Sequence, residues 1–257
     1  MSSPTGTVVL SVLEFDALWE AERLPERHPA LQVISPGITW TERRQLVEEA
    51  LTGLRGRGLV RGTRATGEVA DLFNILAAPQ LALDAWVWAE REIKGLAARI
   101  GGTAVLAVID AGEVWLIPAD ADRLPEAAVS VAGELEPGVG RSVNVPHDVL
   151  TAADIEARGD AKALVTALED RRLPLEESQE LAGMLMGTVA RGQFGAERRG
   201  RDGLVRRAPR VVAFHDTDSG RYLFQLSRDA NGRDWVTVTP ADNLVLEQRL
   251  HELMAEF

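Results

Sequence analysis

No cysteine occurs in the 257 residues, which excludes structural disulfides, cysteine-bearing zinc sites and cysteine nucleophiles. Histidine is scarce: His28, His147, His215 and His251 lie far apart, and none pairs at the H-x-x-x-H spacing of a helical metal site. There is no G-x-S-x-G nucleophile elbow and no Walker motif. A long apolar run is also missing. The most apolar stretch, Thr103 to Ala121, is broken by Asp110, Glu113 and Asp120, so it reads as a strand pair and not a membrane span. The first fifteen residues lack a basic segment, and their apolar run meets Glu14 and Asp16 early, so a soluble cytoplasmic protein without a signal peptide is expected. A net charge of -11 and a pI near 5.0 argue against general nucleic-acid binding, which needs clustered Lys and Arg. The local exception is the arginine-rich stretch Arg191 to Arg210, read as a solvated loop.

What is present is enough chain to bury roughly 70 to 75% of its unfolded surface without staples. Ser11 with Glu14 forms a capping box that opens a helix with Val12, Phe15, Leu18 and Trp19 on its apolar face. Helical spacing continues at Val47, Ala50, Leu51 and Leu54, and again at Val69, Leu72, Phe73 and Leu76 after Thr66. The period then changes to two: Leu81, Leu83, Ala85 and Val87 alternate with Ala82, Asp84, Trp86 and Trp88. Glu90 to Gly102 reads as a glycine-punctuated connection, followed by a hairpin turning at Asp110-Ala111-Gly112 and a further strand at Ala128 to Ala132. Glu134 to Arg141 is the seam between two halves, about 1–135 and 142–257. The second half is helix-rich to Ala190, with Ile155, Leu164, Leu168, Leu181, Met184, Leu185 and Val189 as core positions. Strands Val211 to Phe214 and Tyr222 to Leu226 follow, with turns at Thr217 to Gly220 and Asn231-Gly232. The ends of the chain suggest a pseudo-repeat. Leu31 to Pro36 and Trp235 to Pro240 both read as a strand closed by Ser/Thr-Pro before a capped helix, at Thr39 with Glu42 and at Thr239 with Asp242, with Pro240 at the first helical position. The class expected is α+β, a pseudo-twofold single domain with a mainly antiparallel sheet flanked by helical bundles.

Candidate chemistry is sparse. His215, Asp216 and Asp218 could hold a divalent ion for a metal-assisted hydrolase, but Asp, Ser and Gly in this order read first as a hairpin tip. Asp229 to Asp234 lacks the spacing of a calcium loop, and Arg55 to Gly62 follows a helix where a phosphate cradle would open one. No cofactor is expected.

Several motifs in order resemble the EspG family, the cytosolic chaperones of type VII (ESX) secretion. They are Leu10 to Trp19 (LSVLEFDALW), Ser35-Pro36-Gly37, Arg55 to Leu59 (RGRGL), Gly192 to Ala196 (GQFGA), Asp216 to Tyr222 (DTDSGRY) and Trp235 to Asp242 (WVTVTPAD). The resemblance implies a non-enzymatic chaperone that covers the apolar tip of the PPE partner in a PE-PPE heterodimer, or of a similar helical-hairpin substrate. From composition and patterning, no nucleic-acid partner and no membrane insertion are expected, and the chain is read as a monomer or weak homodimer. The resemblance also implies contacts from the loop between the second and third strands, the sheet face and the C-terminal bundle. By motif order the loop is Arg91 to Gly102, with Arg91, Lys94 and Arg99 as charges and Ile93, Leu96 and Ile100 as apolar anchors. Leu181, Met184, Leu185 and Phe194 are the bundle candidates, each read first as core. Trp86 and Trp88 either pack under a bundle or form the cargo platform.

Overall fold

The computed structural model describes residues 6–257. Residues 1–5, part of the leader reading, lie outside the described residues. The N-terminal half runs β1 (Val8–Ser11), α1 (Val12–Ala21), α2 (Trp40–Gly56), a small hairpin β2 (Val60–Arg61) and β3 (Arg64–Ala65), and α3 (Gly67–Ala77). Four strands follow, β4 (Leu81–Trp88), β5 (Glu92–Ile100), β6 (Thr103–Asp110) and β7 (Glu113–Ala119), then the short helix α4 (Leu124–Val129). The second half repeats that order: β8 (Val143–Pro146), α5 (His147–Ala157), α6 (Ala161–Asp170), α7 (Leu175–Leu185), then β9 (Thr188–Arg199). Strands β10 (Val205–Arg207), β11 (Val212–Thr217), β12 (Gly220–Arg228) and β13 (Asp234–Pro240) lead to α8 (Asn243–Met254).

All main strands join one sheet in the order β1-β7-β6-β5-β4-β9-β11-β12-β13-β8, with β10 appended to the end of β9, and every ladder is antiparallel. The order is symmetric about the β4–β9 pair, which gives the pseudo-twofold. Helices α1 to α3 pack on one face of the first half through a core that includes Phe15, Leu72, Phe73, Leu96 and Val105. Helices α5 to α7 pack on the second half over Val143, Tyr222, Val236 and Val238. Helices α4 and α8 share the opposite face across the middle, over Leu81, Leu83, Phe194, Phe214 and Leu223.

The local chemistry follows from the residues. Ser11 and Glu14 form both capping-box hydrogen bonds, at 3.1 and 2.8 Å. Thr39 accepts from the Glu42 N–H at 3.2 Å, and the Glu42 carboxylate reaches back to Ile38. Arg221 is fully buried and spends its guanidinium on Asp216 at 2.8 and 3.0 Å, on the Asn243 side chain, and on the carbonyls of Ala132 and Gly133. Its backbone bonds Glu136, Gly138 and Ala241. Gly220, at φ +118°, lies 2.7 Å from the Glu136 carbonyl at its missing Cβ. The Asp216 to Tyr222 motif therefore ties the seam to the second half, and a buried charge so placed needs all of these partners.

Several expectations are overturned. Leu31 to Ile34 is not a strand: a 3-10 turn at Pro29–Leu31 inserts Leu31 into the core, and Ile34 is exposed. A short proline-bounded apolar run carries too little period to separate strand from irregular chain. The repeat is real but phased differently. Residues Pro118-Ala119-Asp120 closing β7 match Pro240-Ala241-Asp242 closing β13, and Asp120 and Asp242 both cap the helical turn that follows. Pro240 thus ends a strand, and Thr239 meets Ser142 instead of capping. Ala128 to Ala132 is helical, in α4 and a 3-10 turn. Glu90 to Gly102 is chiefly strand β5, and Arg191 to Arg210 is largely β9 and β10. Ile155 and Val189 are exposed instead of core.

Candidate functional site

On the face that carries α1 to α3 and α5 to α7, the two bundles cover the outer strands, and the middle of the sheet lies between them. Alternation along β4 sends Ala82, Asp84, Trp86 and Trp88 to this face, opposite Glu197, Gly195, Gln193 and Arg191 of β9. The indoles of Trp86 and Trp88 stack with centroids 6.3 Å apart and planes inclined by 19°. Lys94 lies 5.8 Å from the Trp86 ring and Arg191 5.8 Å from that of Trp88, within cation–π range. The indole N–H groups are held from within the sheet, Trp86 by Asp84 at 3.0 Å and Trp88 by Glu92 at 3.1 Å. What the half-buried rings present outward is apolar surface flanked by two cations. Val189, in a bulge of β9 two residues before Arg191, is 57% exposed.

Below the strip, the buried Asp84 is bound by Arg207 at 2.7 and 3.1 Å, and the same guanidinium bonds Glu197 at 2.8 Å. A Cβ on Gly195 would collide with Asp84 and with Arg207, so the Gly192 to Ala196 motif has glycine there to let the arginine cross. The Gly192 position is likewise filled by the Phe214 ring. Among the described residues, His28, Asp84 and Glu197 are close enough to offer three metal ligands. They do not fit one. Arg207 already holds both carboxylates, and the His28 Nδ1 accepts the Ala30 N–H at 3.1 Å, so the proton resides on Nε2, 3.4 Å from Glu197. The approach of His28 is the chief reason that the Glu197 carboxyl titrates below its ordinary range, and Arg207 adds to it.

The residues singled out from sequence are scattered by the fold. Trp86, Trp88 and Lys94 come together in the strip. Leu96 is fully buried in the middle of β5, beneath the first bundle, and Ile100 packs on the same core. Ile93 points to the opposite face against the central core, and Arg99 shares its side of β5. Arg91 sits in the β4–β5 turn and is ion-paired with Asp110. There is thus no Arg91 to Gly102 loop: the turn joining β4 and β5 is short. Leu181, Met184 and Phe194 are buried, and Leu185 packs at the edge of the C-terminal core. Arg191 and Gln193 were missed as site residues, because only the β4–β9 pairing brings them to the tryptophans. The His215, Asp216 and Asp218 trio does not converge. Both Asp216 oxygens serve Arg221, His215 Nε2 bonds the Met184 carbonyl at 2.9 Å, and Asp218 is exposed in the turn.

No helix among the described residues is long and apolar enough to cross a membrane. No curated protein matches the sequence. The fold is similar to the solved structure of the Mycobacterium tuberculosis type VII secretion system chaperone EspG5 in complex with PE25-PPE41 dimer, with a TM-score of 0.73 and 16% identity, over 94% of this chain and 93% of that one. A sequence model of the EspG family matches residues 11–252, nearly the whole of the described chain. This protein belongs to the EspG family.

Proposed function

We propose that this protein is a cytoplasmic type VII secretion chaperone that binds a PE-PPE heterodimer and covers its apolar tip before export. The observation that carries the reading is the strip of Trp86 and Trp88 left between the two bundles, its polar atoms satisfied internally and its rings half exposed. Aromatic rings at low conformational cost, rimmed by Lys94 and Arg191, are the composition of a binding hot spot. Family membership and a fold like that of EspG5, solved with PE25-PPE41, support the same cargo class here. The role needs no catalytic group, and the strip offers none.

The test is co-expression with each PE-PPE pair of the same genome, followed by affinity capture and light scattering. One pair should give a stable equimolar ternary complex. Trp86→Ala with Trp88→Ala should weaken capture by at least about 2 kcal/mol while leaving thermal unfolding little changed. Equal capture by the double variant would remove the strip from the interface, and failure with every folded pair would remove PE-PPE cargo.

A further inference from the structure

Strand β10 buries none of its three residues. Its last one, Arg207, nevertheless reaches across the face of β9 and delivers its guanidinium to β4. Both oxygens of Asp84 accept from it, Oδ2 at 2.7 Å and Oδ1 at 3.1 Å, and Asp84 itself is 1% exposed. The same Oδ1 accepts the Trp86 indole N–H at 3.0 Å, and Asp84 is the indole's one acceptor among the described residues. A guanidinium that grips both oxygens fixes the plane of a carboxylate, which a point charge does not. The direction of Oδ1, and hence the place where it holds the indole, is therefore set by Arg207. Gly195 lies under the crossing: a Cβ there would collide with the guanidinium and stand 2.6 Å from Asp84 Oδ2.

We propose that Arg207 is the positioning residue of the strip: by orienting Asp84 it fixes the Trp86 ring in the attitude that meets cargo. The proposal rests on the reading of the strip as the cargo site. A ring held in one attitude before contact loses less freedom on binding, so affinity rises. Arg207 acts through Asp84 and not on the partner, because both of its terminal nitrogens are committed, to Asp84 and to Glu197 at 2.8 Å.

Two measurements test this. The first needs no cargo: hydrogen exchange of the Trp86 indole N–H in the free protein, followed by NMR and identified by its loss in Trp86→Phe. In Arg207→Gln it should exchange at least about tenfold faster than in the wild type, as expected when a hydrogen bond to a charged group is loosened. Gly195→Ala keeps every charge and moves the guanidinium off the carboxylate, and should do the same; should either variant fail to fold, the other carries the comparison. The Trp19 indole, bonded to the Pro25 carbonyl at 2.7 Å within the first bundle, is the internal control and should exchange as in the wild type. The second is a double-mutant cycle on capture of a PE-PPE pair that the wild type binds. Arg207→Gln should weaken capture about tenfold in the wild-type background and not at all in Trp86→Phe, which keeps a ring but has no N–H to hold. Unchanged exchange at Trp86, equally accelerated exchange at Trp19, or additive losses in the cycle overturn the proposal. Capture of no pair by the wild type would remove the cargo reading alone, and indole exchange would still decide whether Arg207 holds the ring.

Discussion

His215 shows how one residue type can carry opposite meanings. In sequence it stands beside two aspartates, as a general base would. In the fold it is buried, stacks on Tyr222 with centroids 5.3 Å apart, and donates from Nε2 to the Met184 carbonyl. Desolvation holds its pKa below the ordinary value of 6.5, against the weaker upward pull of the Met184 carbonyl and Asp216. Between its folded and unfolded pKa values the unfolded chain binds a proton that the native protein does not, so stability rises with pH there. The contribution is complete above about pH 6.5 and is lost as the pH falls through that window, at no more than about 1.4 kcal/mol per unit. The His215→Gln variant keeps an amide donor for Met184 and has no titration. Urea denaturation of both proteins at pH 7, 6 and 5 should show the wild type losing more stability than the variant. Parallel profiles would mean that His215 is solvated. Glu197, whose carboxyl is depressed, acts in a lower window, with stability lost as the pH falls through its value below the ordinary 4.5.

Elements differ in how much of themselves they write into the sequence. Helix α1 is legible because Ser11 and Glu14 cap it and Phe15, Leu18 and Trp19 recur on one side. Strand β4 is legible because its two faces differ. Strand β5 is not: EIKGLAARI has weak strand formers, and its glycine reads as a break. Gly95 is there because Val131, in the 3-10 turn after α4, comes to 2.7 Å of its missing Cβ, a contact no local pattern announces. Once β4 and β6 hold it on both sides, pairing outweighs propensity. The same applies to β9, whose arginines look like a solvated loop until Asp84, Glu197 and the tryptophans are placed beside them. This changes the meaning of a substitution. In a loop, Leu96→Asp would probe cargo binding; in a central strand it buries an unpaired carboxylate at a cost of at least about 3 kcal/mol. Leu96→Asp should therefore be insoluble or unfold at a much lower denaturant concentration than wild type. A wild-type unfolding midpoint would contradict the placement of β5.

At the scale of the molecule, the family resemblance was carried mostly by residues that build the fold and not by those that face a partner. Ser11 caps a helix, Gly192 and Gly195 admit Phe214 and Arg207, and Asp216 and Arg221 pin the seam. Such motifs recur in order because the architecture requires them, which is why they were more legible than the binding strip. The same architecture sets how far the two halves can be separated. Strands β4 and β9 pair over eight residue positions, Leu81 to Trp88 against Arg198 to Arg191. The central core draws Leu81, Leu83 and Val87 from one half and Phe194, Phe214 and Leu223 from the other. Each half alone would expose a long flat strand edge and half of an apolar core, the conditions for aggregation. A cut between Gly140 and Arg141 falls in exposed chain and leaves Glu136 and Gly138 on the first fragment, still able to bond Arg221 of the second. We predict that residues 1–140 and 141–257 expressed separately are insoluble, and that co-expressed they purify as a soluble equimolar pair with one cooperative thermal transition. A first fragment that is monomeric and unfolds cooperatively by itself would instead establish two autonomous halves, and the β4–β9 ladder would then be a docking interface and not the centre of the fold.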